Sequence, residues 1–296
     1  MTTTSVVEKV ENAASKEAET EISLFGEETV VEAKKPEISE TPSDIRFREN
    51  DDAASQPLLA LTPVALDKPE TVSVGSLRTL LPYIDELDLF EKRWGYDKGA
   101  ASRDEWCVWA RREIVPVFEN LLNYCEKNDV FDLRASYVYV EAVAENETVS
   151  FFKADGSEPF YAHTFKRFAN DWCVADCFGT FRDGSKDTAA LMLVTCGKKA
   201  QSLARKWKNN AHETDYRYLN GLALECVAAM KRYVLAQINN AGACVGNAEF
   251  LGGKETDSRA MRPLLDVCNA AALGVSYNKA DMLVPEYAEV FLVCPR

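Results

Sequence analysis

The sequence predicts an α+β fold: a single domain with a central antiparallel sheet flanked by helices, preceded by a disordered acidic N-terminal tail. Three observations lead to this prediction. Candidate strands are grouped between segments with helical periodicity, an order that favours α+β over a doubly wound parallel sheet. Acidic and aromatic residues are distributed unevenly along the 296 residues. The segment 216–238 has the apolar spacing of a long amphipathic helix.

The first 70 residues differ in composition from the rest. They contain 16 Asp/Glu and 7 Lys/Arg, and their aromatic residues are Phe25 and Phe47. So few large apolar side chains cannot bury enough surface to offset the entropy lost on ordering. We therefore predict a tail over 1–70, serving either as a docking segment or as a linker, and one domain over 71–296. No apolar core of a signal peptide follows Met1.

Charge and cysteine usage exclude several classes of protein. The net charge of −13 provides no basic face for phosphates, so we expect no nucleic-acid partner. No run approaches the roughly 18 apolar residues of a membrane span, so we expect a cytoplasmic protein that does not enter a membrane. The nine cysteines lack Cys-x-x-Cys spacing, and we predict neither disulfides nor a metal site. Most should be small buried apolar residues.

The first part of the domain combines helices with a group of strands. Apolar residues recur at helical steps, and Pro82 and Pro116 should interrupt them because proline lacks an amide proton. Alternating segments rich in Val and Tyr indicate strands. The predicted helices are 74–81, 84–94 and 103–127. The predicted strands are 135–144, 147–152 and 159–167.

The second part should supply the central strands and the longest helices. A turn over 182–185 is predicted to join two antiparallel neighbours at the centre of the sheet. Gly274 should end the last helix, because glycine readily adopts the left-handed conformation of a helix C-terminus. The predicted strands are 173–178, 189–195, 277–284 and 288–293. The predicted helices are 198–207, 216–238 and 259–272.

One set of motifs resembles the activation domain of cobalamin-dependent methionine synthase. Cys-Val-Ala-Asp at 173–176 is followed by Asp187 and by Val-Thr-Cys-Gly at 194–197. The family has Cys-Leu-Ala-Asp-Phe, Asp-Tyr-x-Gly and Val-Thr-x-Gly in that order. Tyr-Ile-Asp at 83–85 is similar to the family's Tyr-Ile-Asp-Trp near its start, and Met-Leu-Val-Pro at 282–285 is similar to its Met-Trp-Pro.

The resemblance implies a function without a catalytic acid or base. In the family, oxidised cob(II)alamin is reactivated when the activation domain closes over the cobalamin, a flavodoxin-type donor supplies an electron, and S-adenosylmethionine methylates the cobalt. The protein positions the reactants and excludes water. The resemblance thus implies S-adenosylmethionine as cofactor, and as partner a cobalamin-carrying methionine synthase that lacks its own activation domain.

The same resemblance implies Asp85, Gly246 and Ala248 as candidate S-adenosylmethionine-binding residues, with no catalytic residue and no metal ligand. Asp85 matches a ligand-contacting Asp, although it could equally cap a helix. The family's ligand loop, Arg-Pro-Ala-Pro-Gly-Tyr-Pro-Ala-Cys-Pro, corresponds to 244–250, where both its Arg and its Tyr are missing. Ala229 or Met230 stands where the family has a Glu. A non-catalytic corrinoid-protein-binding partner is therefore the alternative.

Other polar candidates have structural explanations as good as functional ones. Glycines such as Gly253 could let a backbone approach a cofactor or could simply form turns. His163 is expected to be structural, and Tyr137 and Tyr139 are expected to pack in the sheet rather than against a corrin. An independent methyltransferase is disfavoured, because no glycine-rich turn follows a first strand.

Overall fold

A seven-stranded antiparallel sheet forms the centre of the protein, and β1 and β3 pair with successive stretches of the same edge of β2. The computed structural model describes residues 64–99, 101–179, 186–242, 244, 246–254 and 256–295. The strand order is β4-β3-β2-β5-β9-β6. The strands are β1 (Glu70–Val74), β2 (Leu133–Glu145), β3 (Thr148–Phe152), β4 (Tyr161–Thr164), β5 (Asp187–Thr195), β6 (Ala248–Gly252), β7 (Ser276–Tyr277), β8 (Leu283–Val284) and β9 (Ala288–Val293).

Helices flank this sheet, and the α+β prediction is confirmed. The α-helices are α1 (Arg103–Glu113), α2 (Val115–Lys127), α3 (Lys198–Asn209), α4 (Glu213–Ala241) and α5 (Ser258–Val267). Short 3-10 helices cover Leu77–Tyr83, Val174–Cys177 and Ala270–Leu273, and a π-helix covers Asp88–Arg93. The predicted turn at 182–185 and most of the predicted tail lie outside the described residues.

The two faces of the sheet contact different parts of the chain. Alternate residues such as Val138, Leu191 and Leu292 belong to a buried cluster that also contains Leu264 and Leu273, from α5 and the 3-10 helix after it. The opposite face, which carries Tyr137, Met192 and Phe291 in register, packs against α4. A strand with both faces covered has no polar side, which explains the continuous burial of β5 from Ala189 to Thr195.

Four predicted elements agree closely with the structure. Both the β2–β3 hairpin, which turns at Asn146 with φ of 54°, and the final strand β9 are where the sequence placed them. The helix predicted over 103–127 divides at Ile114, and Pro116 lies in the first turn of α2. Proline is tolerated there because the first amides of a helix have no intrahelical acceptor. Gly274 adopts φ of 70° after the last helical segment.

The strand predicted over 173–178 is wrong, and so is its pairing with 189–195. Residues Val174–Cys177 form a 3-10 helix, and β5 pairs instead with β2 and β9. Asp176 accepts a hydrogen bond from the Cys173 amide at 2.9 Å, and Arg167 contacts both oxygens of the same carboxylate. An aspartate that bonds to the backbone three residues earlier favours a helical turn over a sheet ladder.

Three further predictions need correction. The helix predicted over 74–81 is the end of β1 followed by a 3-10 helix that contains Pro82. Within the helix predicted over 84–94, residues 88–93 form a π-helix. The strand over 277–284 is a hairpin of two short strands, because the Asn278 side chain caps the amides of Ala280 and Met282. The helix over 259–272 stops at Val267, and Asn269 has φ of 53°.

Most of the cysteines are buried, as expected from the sequence. All nine are free thiols, and seven of them are buried. Within the described ranges, no group of three or more His, Cys, Asp or Glu side chains is arranged as a metal site. Nor does any helix there have the length and apolar character needed to cross a bilayer.

Candidate functional site

Asp85 lies where the 3-10 helix ends and the π-helix begins. Its Oδ1 accepts a hydrogen bond from the amide of Asp88 at 3.0 Å, so this carboxylate caps the following helical turn. Its own amide donates to Oε1 of Glu225 on α4 at 2.9 Å. The backbone of Asp85 is therefore fixed by a side chain 140 residues away.

Glu225 is the centre of a buried ionic network. Its carboxylate is fully buried and accepts hydrogen bonds from Arg93 Nε at 3.2 Å and from Arg232 Nη1 at 2.7 Å. Arg232 also donates to the carbonyl of Tyr83 at 2.6 Å. Each Glu225 oxygen has a donor, which is the condition for keeping a carboxylate out of water. The network joins α4 to both sides of the Asp85 turn.

Glu86 is a second titratable group in this region. Burial raises the pKa of its carboxyl to about 7; the positive charge of Arg111 opposes this shift, and the negative charge of Asp85 adds to it. Its Oε2 is buried without a hydrogen-bond partner among the described residues. The turn that presents Asp85 therefore also holds a carboxyl that changes charge near neutral pH.

Gly246 and Ala248 lie at the start of the edge strand β6, which the sequence had not predicted. A Cβ atom on Gly246 would come within 2.5 Å of the Cys294 carbonyl oxygen, so the two backbones require glycine here. Ala248 pairs with Val293 of β9. The close approach at Gly246 is therefore a packing contact with the backbone of Cys294.

The other positions that the resemblance named are buried. Cys244, at the position of the family's Arg, is buried and its thiol donates to the Thr188 carbonyl at 3.2 Å. Ala229 and Met230, at the position of the family's Glu, are fully buried. None of these three side chains reaches solvent, so none supplies a charged ligand contact.

Lys231 lies on α4 and interacts with charged groups near Asp85 and near Ala248. Burial lowers the pKa of its ammonium group, and Arg232 acts in the same direction, whereas Glu289 and Glu249 oppose the shift. Its Nζ lies 5.1 Å from the ring centroid of Phe291. Lys231 thus interacts electrostatically both with Glu225, which binds the Asp85 amide, and with Glu249, next to Ala248.

A groove of about 460 Å³ lies between α3, α4 and the segment around β6 and β9. This volume is within the usual range of small-molecule sites. Phe250, at the edge of the groove, is 52% exposed, and its ring centroid lies 6.2 Å from that of Phe291. The groove is also lined by polar and charged side chains: Arg205, Lys208, Asn220, Lys254, Glu286 and Glu289.

Glu286 is held in this groove by three side chains. Arg205 Nη2 contacts Oε1, and Lys254 Nζ lies 2.5 Å from Oε2. Gln201 donates to Oε1 at 3.1 Å and accepts from the Glu286 amide. Although burial acts to raise it, these hydrogen bonds leave the pKa of Glu286 below its ordinary value. We call Arg205, Lys254 and Gln201 the carboxylate cradle.

Glu289 is the second carboxylate of the groove. Burial raises its pKa, while the positive charges of Lys231 and Arg93 oppose the increase. Gly253 forms part of the adjoining wall, where an added Cβ would lie 3.2 Å from Cγ of Glu289. Among the glycines considered from sequence, Gly253 is the one whose backbone borders this groove.

The remaining candidates have structural roles. His163 Nδ1 lies 3.1 Å from the Tyr161 hydroxyl, and burial lowers the His163 pKa. Tyr137 donates to Glu70 at 2.7 Å, and its ring packs edge-on against that of Tyr139 at 5.8 Å. Sequence reasoning missed Glu225 and the groove, and the signal it could have used was a Glu inside an otherwise apolar helix face.

No protein-family model matches the chain, and no curated protein matches it. A search of solved structures finds the crystal structure of the MetH reactivation domain bound to AdoHcy, with a TM-score of 0.60 and 15% sequence identity. The match covers 80% of this chain and 82% of that chain. The chain therefore has the fold of the methionine synthase reactivation domain.

Proposed function

We propose that this protein is an accessory module for the reductive reactivation of cobalamin-dependent methionine synthase. It docks over cobalamin carried by a methionine synthase that lacks its own activation domain, and supports S-adenosylmethionine-dependent methylation of cob(II)alamin. A flavodoxin-type protein supplies the electron. The observation that supports this proposal is the fold similarity across 80% of the chain.

The role of the chain in this function is positional. No described side chain is needed as acid or base, because the methyl group moves from a sulfonium to cobalt held by the partner. Asp85 belongs to a turn that Glu225 fixes from α4, and Asp85, Gly246 and Ala248 remain the ligand-binding positions that the family resemblance implies. Fixed groups bind a reactant with little loss of conformational freedom.

Docking is tested by co-purification of the full chain with a cobalamin-loaded methionine synthase fragment that lacks its activation domain. Reactivation is then followed by the absorbance change from cob(II)alamin to methylcobalamin, with S-adenosylmethionine and a flavodoxin-type donor present. We expect both complex formation and methylation to depend on this chain. A fragment that neither binds the chain nor responds to it would contradict the proposal.

A non-catalytic corrinoid-protein-binding partner is the second candidate. The burial of Cys244, Ala229 and Met230 supports it, because the family's charged ligand contacts have no exposed replacement at those positions. Such a partner would cap or stabilise the cobalamin domain without S-adenosylmethionine. Complex formation in the first assay, combined with no heat of binding at millimolar S-adenosylmethionine, would select this candidate.

A further inference from the structure

Cys177 and Cys294 form a pair of hydrogen-bonded thiols that solvent can reach. Cys177 is the last residue of the 3-10 helix Val174–Cys177, and Cys294 directly follows β9. Cys196 and Cys226 form a second hydrogen-bonded pair, but both are fully buried. Cys177, by contrast, is only partly buried. A reagent in solution can therefore contact the first pair and not the second, as long as the protein stays folded.

Backbone contacts fix both members of the Cys177–Cys294 pair. The 3-10 helix that ends at Cys177 is closed by Asp176, which accepts a hydrogen bond from the Cys173 amide at 2.9 Å. The Cys294 amide donates to the Asn247 carbonyl at 3.4 Å, and its carbonyl packs against Gly246. The fold thus brings together two sulfur atoms that are far apart in the chain. A bond between them requires a further approach of atoms already in contact.

The surroundings of the two thiols give them different roles. Burial raises the pKa of Cys177, but the hydrogen bond from Cys294 acts to lower it. Burial also raises the pKa of Cys294, and there the charges of Cys177 and Glu249 add to the increase. The thiolate is the reactive form of cysteine, and Cys177 is the more exposed of the two. Cys177 is therefore the attacking thiol, and Cys294 is the thiol that reacts second.

We propose that Cys177 and Cys294 are a reversible oxidation site, at which a small disulfide such as oxidised glutathione converts the two thiols into a disulfide. The Cys177 thiolate attacks one sulfur of the oxidant, forms a mixed disulfide and releases one glutathione thiolate. Cys294 then attacks the Cys177 sulfur and releases the second. The protons of the two protein thiols pass to the two released thiolates, so two thiols are oxidised and one glutathione disulfide is reduced.

The position of the pair gives this modification a structural consequence. The disulfide joins the turn that contains Cys173 and Asp176 to the end of β9. A Cβ atom on Gly246 would lie 3.6 Å from that of Cys294, so the crosslink also borders the start of β6. A covalent link between segments far apart in the chain restricts the unfolded state. The inference goes beyond the proposed function, because it requires neither cobalamin nor S-adenosylmethionine.

Peptide mass mapping of the folded, full-length protein after incubation with oxidised glutathione tests the inference. We expect a Cys177–Cys294 disulfide that dithiothreitol reverses. It should form at least roughly 10-fold faster than any Cys196–Cys226 disulfide, because the buried pair reacts only when the protein opens. Cys107 is the internal control. It is also partly buried, but it interacts with Arg103 rather than with another thiol, so it should stop at a mixed disulfide with glutathione.

Single substitutions separate the roles of the two thiols. In Cys294→Ala, Cys177 should retain one glutathione as a mixed disulfide, because the thiol that displaces it is missing. In Cys177→Ala, Cys294 should remain a free thiol, since it is 4% exposed. Cys107→Ala should form the Cys177–Cys294 disulfide as the wild type does. Melting temperatures of the reduced proteins establish that each variant is folded.

Three results would overturn the inference. If Cys177 of the wild type keeps its glutathione as Cys107 does, Cys294 is not able to attack it. If Cys177 stays a free thiol while Cys107 is modified, the pair is not accessible to the oxidant. If the Cys196–Cys226 disulfide appears at the same rate, oxidation follows unfolding and does not depend on the pairing in the folded state. Docking on the cobalamin-loaded fragment is measured separately, so the proposed function does not depend on these outcomes.

Discussion

The Glu225 network and the carboxylate cradle use the same kinds of side chain in different solvent environments. Glu225 is fully buried and its partners Arg93 and Arg232 are about one quarter and one third exposed, at 26% and 31%. Glu286 is 22% exposed, whereas Arg205 is 57% exposed and Lys254 47%. A carboxylate out of water cannot exchange partners cheaply, whereas one beside solvent can. The first arrangement is a fixed support, whereas the second can exchange its partners with water and dissolved ions.

The largest effect is expected at the buried network. Glu225→Gln leaves Arg93 and Arg232 without their shared negative charge and removes an acceptor from one of them. We expect the free energy of unfolding to fall by about 3–5 kcal/mol, as for loss of one partner of a buried ion pair. Chemical denaturation measures this change. The exposed pair Arg112–Glu113 is the control, and Glu113→Gln should change the free energy by less than about 1 kcal/mol.

The second effect depends on pH and comes from Glu86. Its folded-state pKa of about 7 lies above the unfolded value, so the folded state binds more protons between these two values. Stability from this group is therefore present below about pH 4.5 and is lost as the pH rises through about 7. We expect Glu86→Gln to be more stable than the wild type at pH 8 by roughly 2 kcal/mol, allowing for solvent screening.

This difference between Glu86→Gln and the wild type should shrink as the pH falls towards 5. Denaturation of both proteins at several pH values measures it, and titration of other groups, including His163, cancels in the difference. A constant difference from pH 5 to pH 8 would contradict a raised pKa for Glu86.

A smaller effect separates the capping role of Asp85 from its charge. Asp85→Ala removes the acceptor of the Asp88 amide, and we expect it to destabilise the protein by about 1 kcal/mol. Asp85→Asn retains an oxygen acceptor and should cost less than half of that. Thermal unfolding of the two variants tests the difference. Equal destabilisation would show that the negative charge, rather than the cap, supports this turn.

The smallest effect is expected in the groove. Glu286→Gln removes ion pairs with two exposed cations, so we expect a change in unfolding free energy below about 1 kcal/mol. The wild-type contribution should also decrease as salt is added, because exposed charges are screened. Denaturation at low and high salt measures both. A loss as large as that of Glu225→Gln would mean that the cradle is a structural support, and the comparison would fail.

The sequence placed most of the regular elements correctly where periodicity was long and unbroken. The alternation over 135–144 predicted β2, and the apolar spacing over 216–238 predicted α4. The break at Pro116 followed from the missing amide proton. For Asp85 the sequence left two roles open, a ligand contact and a helix cap, and the structure shows the cap.

Other parts depended on side-chain contacts and strand pairing, which hydrophobic periodicity does not show. Cys173–Phe178 has the composition of a strand, but Arg167 and Asp176 hold it in a 3-10 turn. Strand β6 lies at the edge of the sheet and pairs with β9. Its own residues gave no strand signal, because strand formation depends on the neighbouring strand as well as on residue propensity.

By itself, the sequence determined the α+β class, the long helix, the burial of most cysteines and the resemblance through which Asp85, Gly246 and Ala248 were selected. These follow from patterns within short segments. The tertiary structure alone decided that Glu225 fixes the Asp85 backbone, that Gly246 packs against Cys294, and that Arg205, Lys254 and Glu286 meet. Those contacts join residues far apart in the chain, and only folding brings their charges close enough to interact.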